Sequence, residues 1–163
     1  MEKKEIKIAY HKALSADELS AEDRQIFDKA IEAMHNAYAP YSLFKVGCAA
    51  LLENGEVVKG SNQENMAYPS GLCAERVALF SASANFPGVP IKTLAVVAQP
   101  IAEDADMTIS PCGSCRQVMV EYERIQHKPI RIITGSANGT LMITGNTQVL
   151  LPLAFFDGGL SKD

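Results

Sequence analysis

Apolar residues along this chain follow two periods, and the switches between them mark out the elements. Ile26, Phe27, Ala30, Ile31, Met34 and Ala37 recur at helical spacing, which predicts an amphipathic helix over roughly 21–38. Ser20 followed by Asp23 is a weak form of the capping box that opens a helix. Ala39, Pro40, Tyr41 and Ser42 break that helix, and 44–52 is apolar and small enough for a strand buried on both faces. Asn54 and Gly55 supply a hairpin turn into a second strand over 56–60.

Downstream, a polar loop over 61–70 leads to a helix over 73–84 and a strand over 93–98. A second loop, PIAEDADMTISP, precedes a helix beginning near Cys112. Two short strands follow at 130–134 and 140–144, parted by a Gly, Ser and Asn turn, and the tail LLPLAFF is apolar enough to need a cover. Residues 2–10 alternate only weakly, at Ile6, Ile8 and Tyr10. Helices and strands interleave with no repeat and no long Pro, Gly or Ser linker. A single domain over 1–163, built as a sheet with helices on its faces, is the expected arrangement.

Composition narrows the partners. At 163 residues the chain is long enough to bury about two-thirds of its unfolded surface. With 47% hydrophobic and 21% charged residues it lies outside the disordered range. A formal charge of −4 and a pI of 5.4 argue against a nucleic-acid partner, whose phosphates call for clustered Lys and Arg. No apolar run approaches the roughly 18 residues needed to span a bilayer, and MEKKEIKIAYHKA lacks the apolar core of a signal peptide. A soluble cytoplasmic protein with no membrane partner is expected. Four cysteines are too few for a disulfide scaffold, and that compartment keeps thiols reduced.

The positions of those cysteines carry the chemistry. Cys112 and Cys115 form a PCxxC step at the start of one predicted helix, and Cys73 opens another in GLCAER. Thiolates bind zinc, and a helix N-terminus lowers a thiol's pKa through its free N–H groups and the positive end of its dipole. PCxxC by itself serves zinc sites and redox thiols alike; a third cysteine at a second helix start favours zinc. Three protein ligands leave a tetrahedral ion one position for water, as catalytic sites do and structural ones do not. Cys48, amid Val46, Gly47, Ala49 and Ala50, reads as a small buried hydrophobe. His11, His35 and His127 have no ligand spacing and take no metal role.

Glu75 follows Cys73 by two positions, which on an ideal helix turns it roughly 200° from the cysteine. It is expected off the ligand face yet at the same helix start. There it can flank the ion and move protons between water, a ring nitrogen and a leaving amine. The plain alternative is an exposed first-turn Glu favoured by the helix dipole. Arg76 and Arg116 lie close to the ligands, and either could offset the negative charge of three thiolates by donating to sulfur. Arg76 is the stronger candidate.

Four segments, YAPYSLFKVG, GSNQENMAYPSGLCAERVALF, ISPCGSCRQVM and LLPLAF, stand in an order and spacing that resemble the homotetrameric, three-cysteine zinc type of cytidine deaminases. The resemblance spans roughly residues 38–157. It implies a three-layer α/β/α fold around a mixed five-stranded sheet. It also implies one Zn2+ per subunit on Cys73, Cys112 and Cys115, with Glu75 as the proton shuttle. Nucleoside contacts follow from the same resemblance: Asn62 and Glu64 to the sugar, Phe44 against the pyrimidine, Tyr68 along the pocket, and the backbone of Ala74 and Cys112 at the base edge. Phe155 would enter from a neighbouring subunit. Taken alone, Phe44 and Phe155 are more often core residues.

The reaction so implied is addition of a zinc-activated water to C4 of cytidine or deoxycytidine. Glu75 then protonates N3 and the departing amine, giving uridine or deoxyuridine and ammonia in pyrimidine salvage. The partners are nucleoside, water and further copies of the chain, in a homotetramer with shared active sites. About the first twenty residues form an N-terminal extension beyond the deaminase core, and Gln63, Met66 and Cys48 depart from the commonest pattern. One rival is a deaminase of modified cytosine nucleosides, such as the blasticidin-S deaminases. The other is a noncatalytic zinc module, which would need a fourth protein ligand.

Overall fold

The computed structural model describes residues 1–99 and 109–155. Ser20 caps α1 (Ala21–Met34), its Oγ accepting from the Asp23 backbone N–H at 3.1 Å and so satisfying one open donor of the first turn. Asp23 does not complete a capping box. Its buried carboxylate instead accepts Arg131 Nε at 3.0 Å and Nη2 at 2.9 Å. α1 stops at Met34, short of the expected limit, where the N–H groups of Asn36 and Ala37 turn onto the Ala33 and Met34 carbonyls.

β2 (Val46–Leu52) and β3 (Val57–Ser61) form the expected hairpin. Its turn holds Gly55 at φ 88°, a left-handed conformation that glycine adopts freely, and Asn54 Oδ1 accepts from the Glu56 N–H at 3.1 Å. α2 (Ala74–Asn85), β4 (Ile91–Ala98), α3 (Gly113–Gln126), β5 (Arg131–Ser136) and β6 (Leu141–Thr144) follow, and β1 (His11–Ala13) precedes α1. One mixed sheet runs β1-β6-β5-β4-β2-β3, with β4 and β5 parallel and the other neighbours antiparallel.

The sheet has six strands rather than the expected five, and the added one is β1. Inside the stretch read as an extension, His11 lies opposite Ile143 and Ala13 opposite Leu141, covering the edge that β6 would otherwise leave open. Three residues are too short to show a period, whereas the weakly alternating Ile6, Ile8 and Tyr10 stay exposed and outside any strand.

α1 packs on one face over Ala49, Leu51, Ala95, Val97 and Ile133, while α2 and α3 cover Cys48, Ala50, Leu94, Val96 and Ile132 on the other. This is the expected α/β/α layering. Cover on both faces explains why β2 and the stretch 94–98 of β4 read as continuous apolar runs. α2 sits very close to the sheet. A Cβ on Gly60 of β3 would stand 2.5 Å from both the Ala74 carbonyl oxygen and the Ala78 nitrogen, so only glycine lets the helix start come this near. Among the described residues no helix is long and apolar enough to cross a membrane. Most of the second predicted loop, 100–108, and the end of the apolar tail, from 156, lie outside the described residues.

Candidate metal centre and active site

Cys73 is the N-cap of α2 and Cys112 the N-cap of α3, each in extended backbone just before its helix, while Cys115 lies in the first turn of α3. Both helices cover the same face of the sheet, so their starts bring the sulfurs together. Cys73 Sγ is 3.9 Å from Cys112 Sγ, Cys112 Sγ is 3.5 Å from Cys115 Sγ, and all three lie within 4.8 Å of one another. Tetrahedral zinc with Zn–S bonds of about 2.3 Å requires sulfurs about 3.8 Å apart. Three thiols at this spacing fit one Zn2+, and an all-sulfur donor set is one that zinc favours. Among the described residues the cluster stops at three ligands, so a fourth protein ligand for a purely structural site is not found there.

As thiols the three are unequal. The hydrogen bond from Cys115 is the main cause that draws Cys73 down to about 5. Arg76, whose Nη2 is 3.6 Å from the Cys73 sulfur, and Cys112 add to that effect. The same interaction with Cys73, together with burial, pushes Cys115 upward. Arg76 therefore does what the charge argument asked of it. Arg116 does not: its Nε donates to the Pro111 carbonyl at 2.7 Å, its Nη2 to Ser110 Oγ at 2.7 Å and its Nη1 to the Leu150 carbonyl at 2.9 Å.

Glu75 is 4% exposed, which removes the solvated first-turn alternative. Burial, with the Cys73 thiolate adding, raises its carboxyl above the ordinary range, and a hydrogen bond with Cys115 opposes the rise. The ideal-helix angle does not apply, because Cys73 has φ −72° and ψ 152° and is a cap residue, and Glu75 lines the same cavity as Cys73 and Cys112. Cys48 is wholly buried in β2, its thiol pushed up by burial and then by the charge of Glu75. It packs as the small hydrophobe expected, with Glu75 as a neighbour.

Cys73, Cys112, Glu75 and Arg76 open into a cavity of about 730 Å³, lined also by Phe44, Asn62, Glu64, Tyr68 and Ala74. Asn62 bridges the strand entrance: its Oδ1 accepts from the Val46 N–H at 2.8 Å and its Nδ2 donates to the Phe44 carbonyl at 2.9 Å. Glu64 accepts from the N–H groups of Tyr41 and Ser42 at 2.9 and 3.3 Å and from the Ser42 hydroxyl. The Ser42 hydroxyl, then the Tyr41 N–H, hold its carboxyl below the usual range. A carboxylate offers about four lone-pair sites and an amide nitrogen two hydrogens, so both residues keep capacity for a ligand. Tyr68 stands 84% exposed at the rim, and Phe155, 73% exposed, is not among the lining residues.

Residues 20–129 match the family described as the cytidine and deoxycytidylate deaminase zinc-binding region, a span that contains all three clustered cysteines and Glu75. The chain belongs to this deaminase family. It is 45% identical over 100 residues to the cytidine deaminase of Halalkalibacterium halodurans, covering 61% of this chain and 71% of that one. It is 40% identical over 105 residues to the cytidine deaminase of Mycobacterium tuberculosis, covering 63% and 74%. The crystal structure of a cytidine deaminase from Burkholderia pseudomallei superposes with a TM-score of 0.70 at 37% identity, over 84% of this chain and 100% of that one.

Two features of this deaminase lay outside the sequence reading. Ser42 ties Glu64 to the turn before Phe44, whose N–H donates to Ser42 Oγ at 3.0 Å. The local signal is a serine two residues ahead of the N–H it caps, which is common in turns and so specifies little. Arg116 and Gln117, immediately after Cys115 of the cluster, hold the backbone of the C-terminal tail. No periodicity marks such a contact.

Proposed function

We propose that this deaminase converts cytidine and deoxycytidine hydrolytically to uridine and deoxyuridine with release of ammonia, in cytoplasmic pyrimidine salvage. Cys73, Cys112 and Cys115 hold the zinc, and Arg76, donating to Cys73 Sγ, offsets thiolate charge. Bound zinc supplies an acidified water and acts as a Lewis acid. Glu75, with its raised carboxyl pKa, accepts a proton from the attacking water and passes it to N3, then takes the second proton of that water from the new C4 hydroxyl and delivers it to the departing amine. The backbone of Ala74 and Cys112, at the two helix starts, meets the base edge. Phe44 packs on the pyrimidine, Asn62 and Glu64 meet sugar hydroxyls, and Tyr68 covers the rim. The observation that carries this reading is Glu75, buried beside the three-sulfur cluster and lining one cavity with Cys73 and Cys112.

The same reading makes the protein a homotetramer of single-domain subunits. Tyr41, Tyr68, Leu153 and Phe155 all stand more than half exposed, an apolar set that supports subunit contact and entry of Phe155 into a neighbouring cavity. The test is loss of cytosine ultraviolet absorbance with cytidine and deoxycytidine, on protein of measured zinc content and mass in solution. Glu75→Gln should lower kcat by at least about 100-fold while zinc stays bound. A zinc-loaded wild type silent on both nucleosides but active on a modified cytosine nucleoside would overturn the substrate; a fully active Glu75→Gln would overturn the shuttle.

A further inference from the structure

We propose that Gln117 is a positioning residue for the reaction: it fixes the C-terminal tail on the zinc-ligand helix so that Phe155 is presented in one orientation to the neighbouring cavity. This rests on the reading of Phe155 given above. The side-chain amide of Gln117 engages both backbone groups of Phe155. Its Nε2 donates to the Phe155 carbonyl at 2.9 Å, and its Oε1 accepts from the Phe155 N–H at 3.2 Å. One side chain thus treats one residue as an adjacent strand would, closing a paired contact that sets direction as well as distance. One position earlier, Arg116 holds the Leu150 carbonyl. The tail is therefore anchored at two points to the start of α3, by the two residues that follow Cys115.

Among the described residues nothing within the subunit explains the second anchor. Leu150 is buried in the core, so Arg116 fastens a segment already held. Leu153 is 85% exposed and Phe155 73% exposed, so Gln117 fastens the backbone of a residue whose own ring buries little in this subunit. Neither Gln117 nor Phe155 lines the cavity of its own chain. An anchor that orders this exposed aromatic beforehand lowers the conformational entropy lost when the ring is fixed against a nucleoside in the neighbouring cavity, which is pre-organisation. Its effect belongs in substrate binding at the neighbouring site, with the chemical step left to Glu75.

The experiment compares cytidine kinetics of the zinc-loaded wild type with Gln117→Ala, Gln117→Glu, Phe155→Ala and the double Gln117→Ala/Phe155→Ala, each checked for zinc content and mass in solution. Gln117→Ala should raise KM about three- to tenfold, the loss of one to two net hydrogen bonds, with kcat within about twofold. Gln117→Glu keeps the acceptor and loses the donor, so its KM should fall between. Phe155→Ala should raise KM at least as much, and the double variant should be no worse than Phe155→Ala alone. An unchanged KM in Gln117→Ala beside a raised KM in Phe155→Ala overturns the anchor and leaves the reading of Phe155 standing. No effect of Phe155→Ala removes that reading and the inference together. Loss of zinc, or of kcat at constant KM, in Gln117→Ala means the residue acts through the metal helix, which also overturns the proposal.

Discussion

Gly60→Ala reaches the active site without touching it. The added Cβ would stand 2.5 Å from Ala74 O and Ala78 N, both backbone atoms that no rotamer change can move aside. Ordinary contact begins near 3.4 Å, so the start of α2 must retreat by about 1 Å. That retreat carries Cys73 and Glu75 with it and leaves Cys112 and Cys115 behind on α3, distorting a sulfur spacing that now suits one tetrahedral ion. Misplacement by about 1 Å costs on the order of 100-fold in rate, and overpacking costs about 1–3 kcal/mol of stability. In a protein of this size the second cost lowers Tm by roughly 3–10 °C. Deamination kinetics, zinc content after dialysis and thermal unfolding check the three effects, with Gly145→Ala, whose Cβ would meet nothing within 4 Å, as the control. Wild-type kcat and zinc retention in Gly60→Ala would refute the reasoning, because they would mean that the close seating of α2 does not set the site.

Ser42→Ala removes the hydroxyl that links Glu64 to the turn ahead of Phe44, and should raise KM for cytidine about three- to tenfold while changing kcat less than about threefold. An unchanged KM would show that Glu64 is held well enough by the Tyr41 and Ser42 N–H groups alone. In protein stripped of metal with a chelator, Cys73 should be the thiol alkylated first by iodoacetamide. Its pKa of about 5 means that the thiolate is already formed at pH 6 and the rate is nearly flat from there to pH 8, falling only as pH drops through 5. A rate still rising about tenfold per pH unit up to pH 8 would assign Cys73 the pKa of an ordinary thiol.

Much of the fold was legible because both sheet faces are covered. The run in β2 and the stretch 94–98 of β4 are apolar throughout, which leaves a buried strand as their simplest reading, and the Asn54–Gly55 turn has its own backbone chemistry. β1 was not legible, because three residues on the edge of β6 carry no period and are selected by a partner far away in sequence. The overlong helix has a related cause. Ala37 continues the apolar spacing of α1, but Tyr38 is recruited by Gln63 to start the loop that lines the cavity, and a tertiary bridge overrides the period.

At the site, ligand identity was legible and orientation was not. Spacing identifies Cys112 and Cys115 as a pair because two intervening residues at a helix start leave both sulfurs within reach of one ion. Spacing misjudges Glu75, since an angle of roughly 200° presumes that Cys73 is helical. As an extended cap it lies off the helical path, and the buried carboxylate lines the same cavity as Cys73 and Cys112, near enough to feel the Cys73 charge. The same limit governs Arg76, which follows Cys73 within one helical turn, and Arg116, which directly follows Cys115. One reaches sulfur and the other reaches three oxygens of a loop and a tail. What separates them is the position of chain segments distant in sequence, here Ser110 before α3 and Leu150 after β6. A residue type at a helix start therefore states what chemistry is available, while the partners brought beside it by the sheet decide which atom receives it.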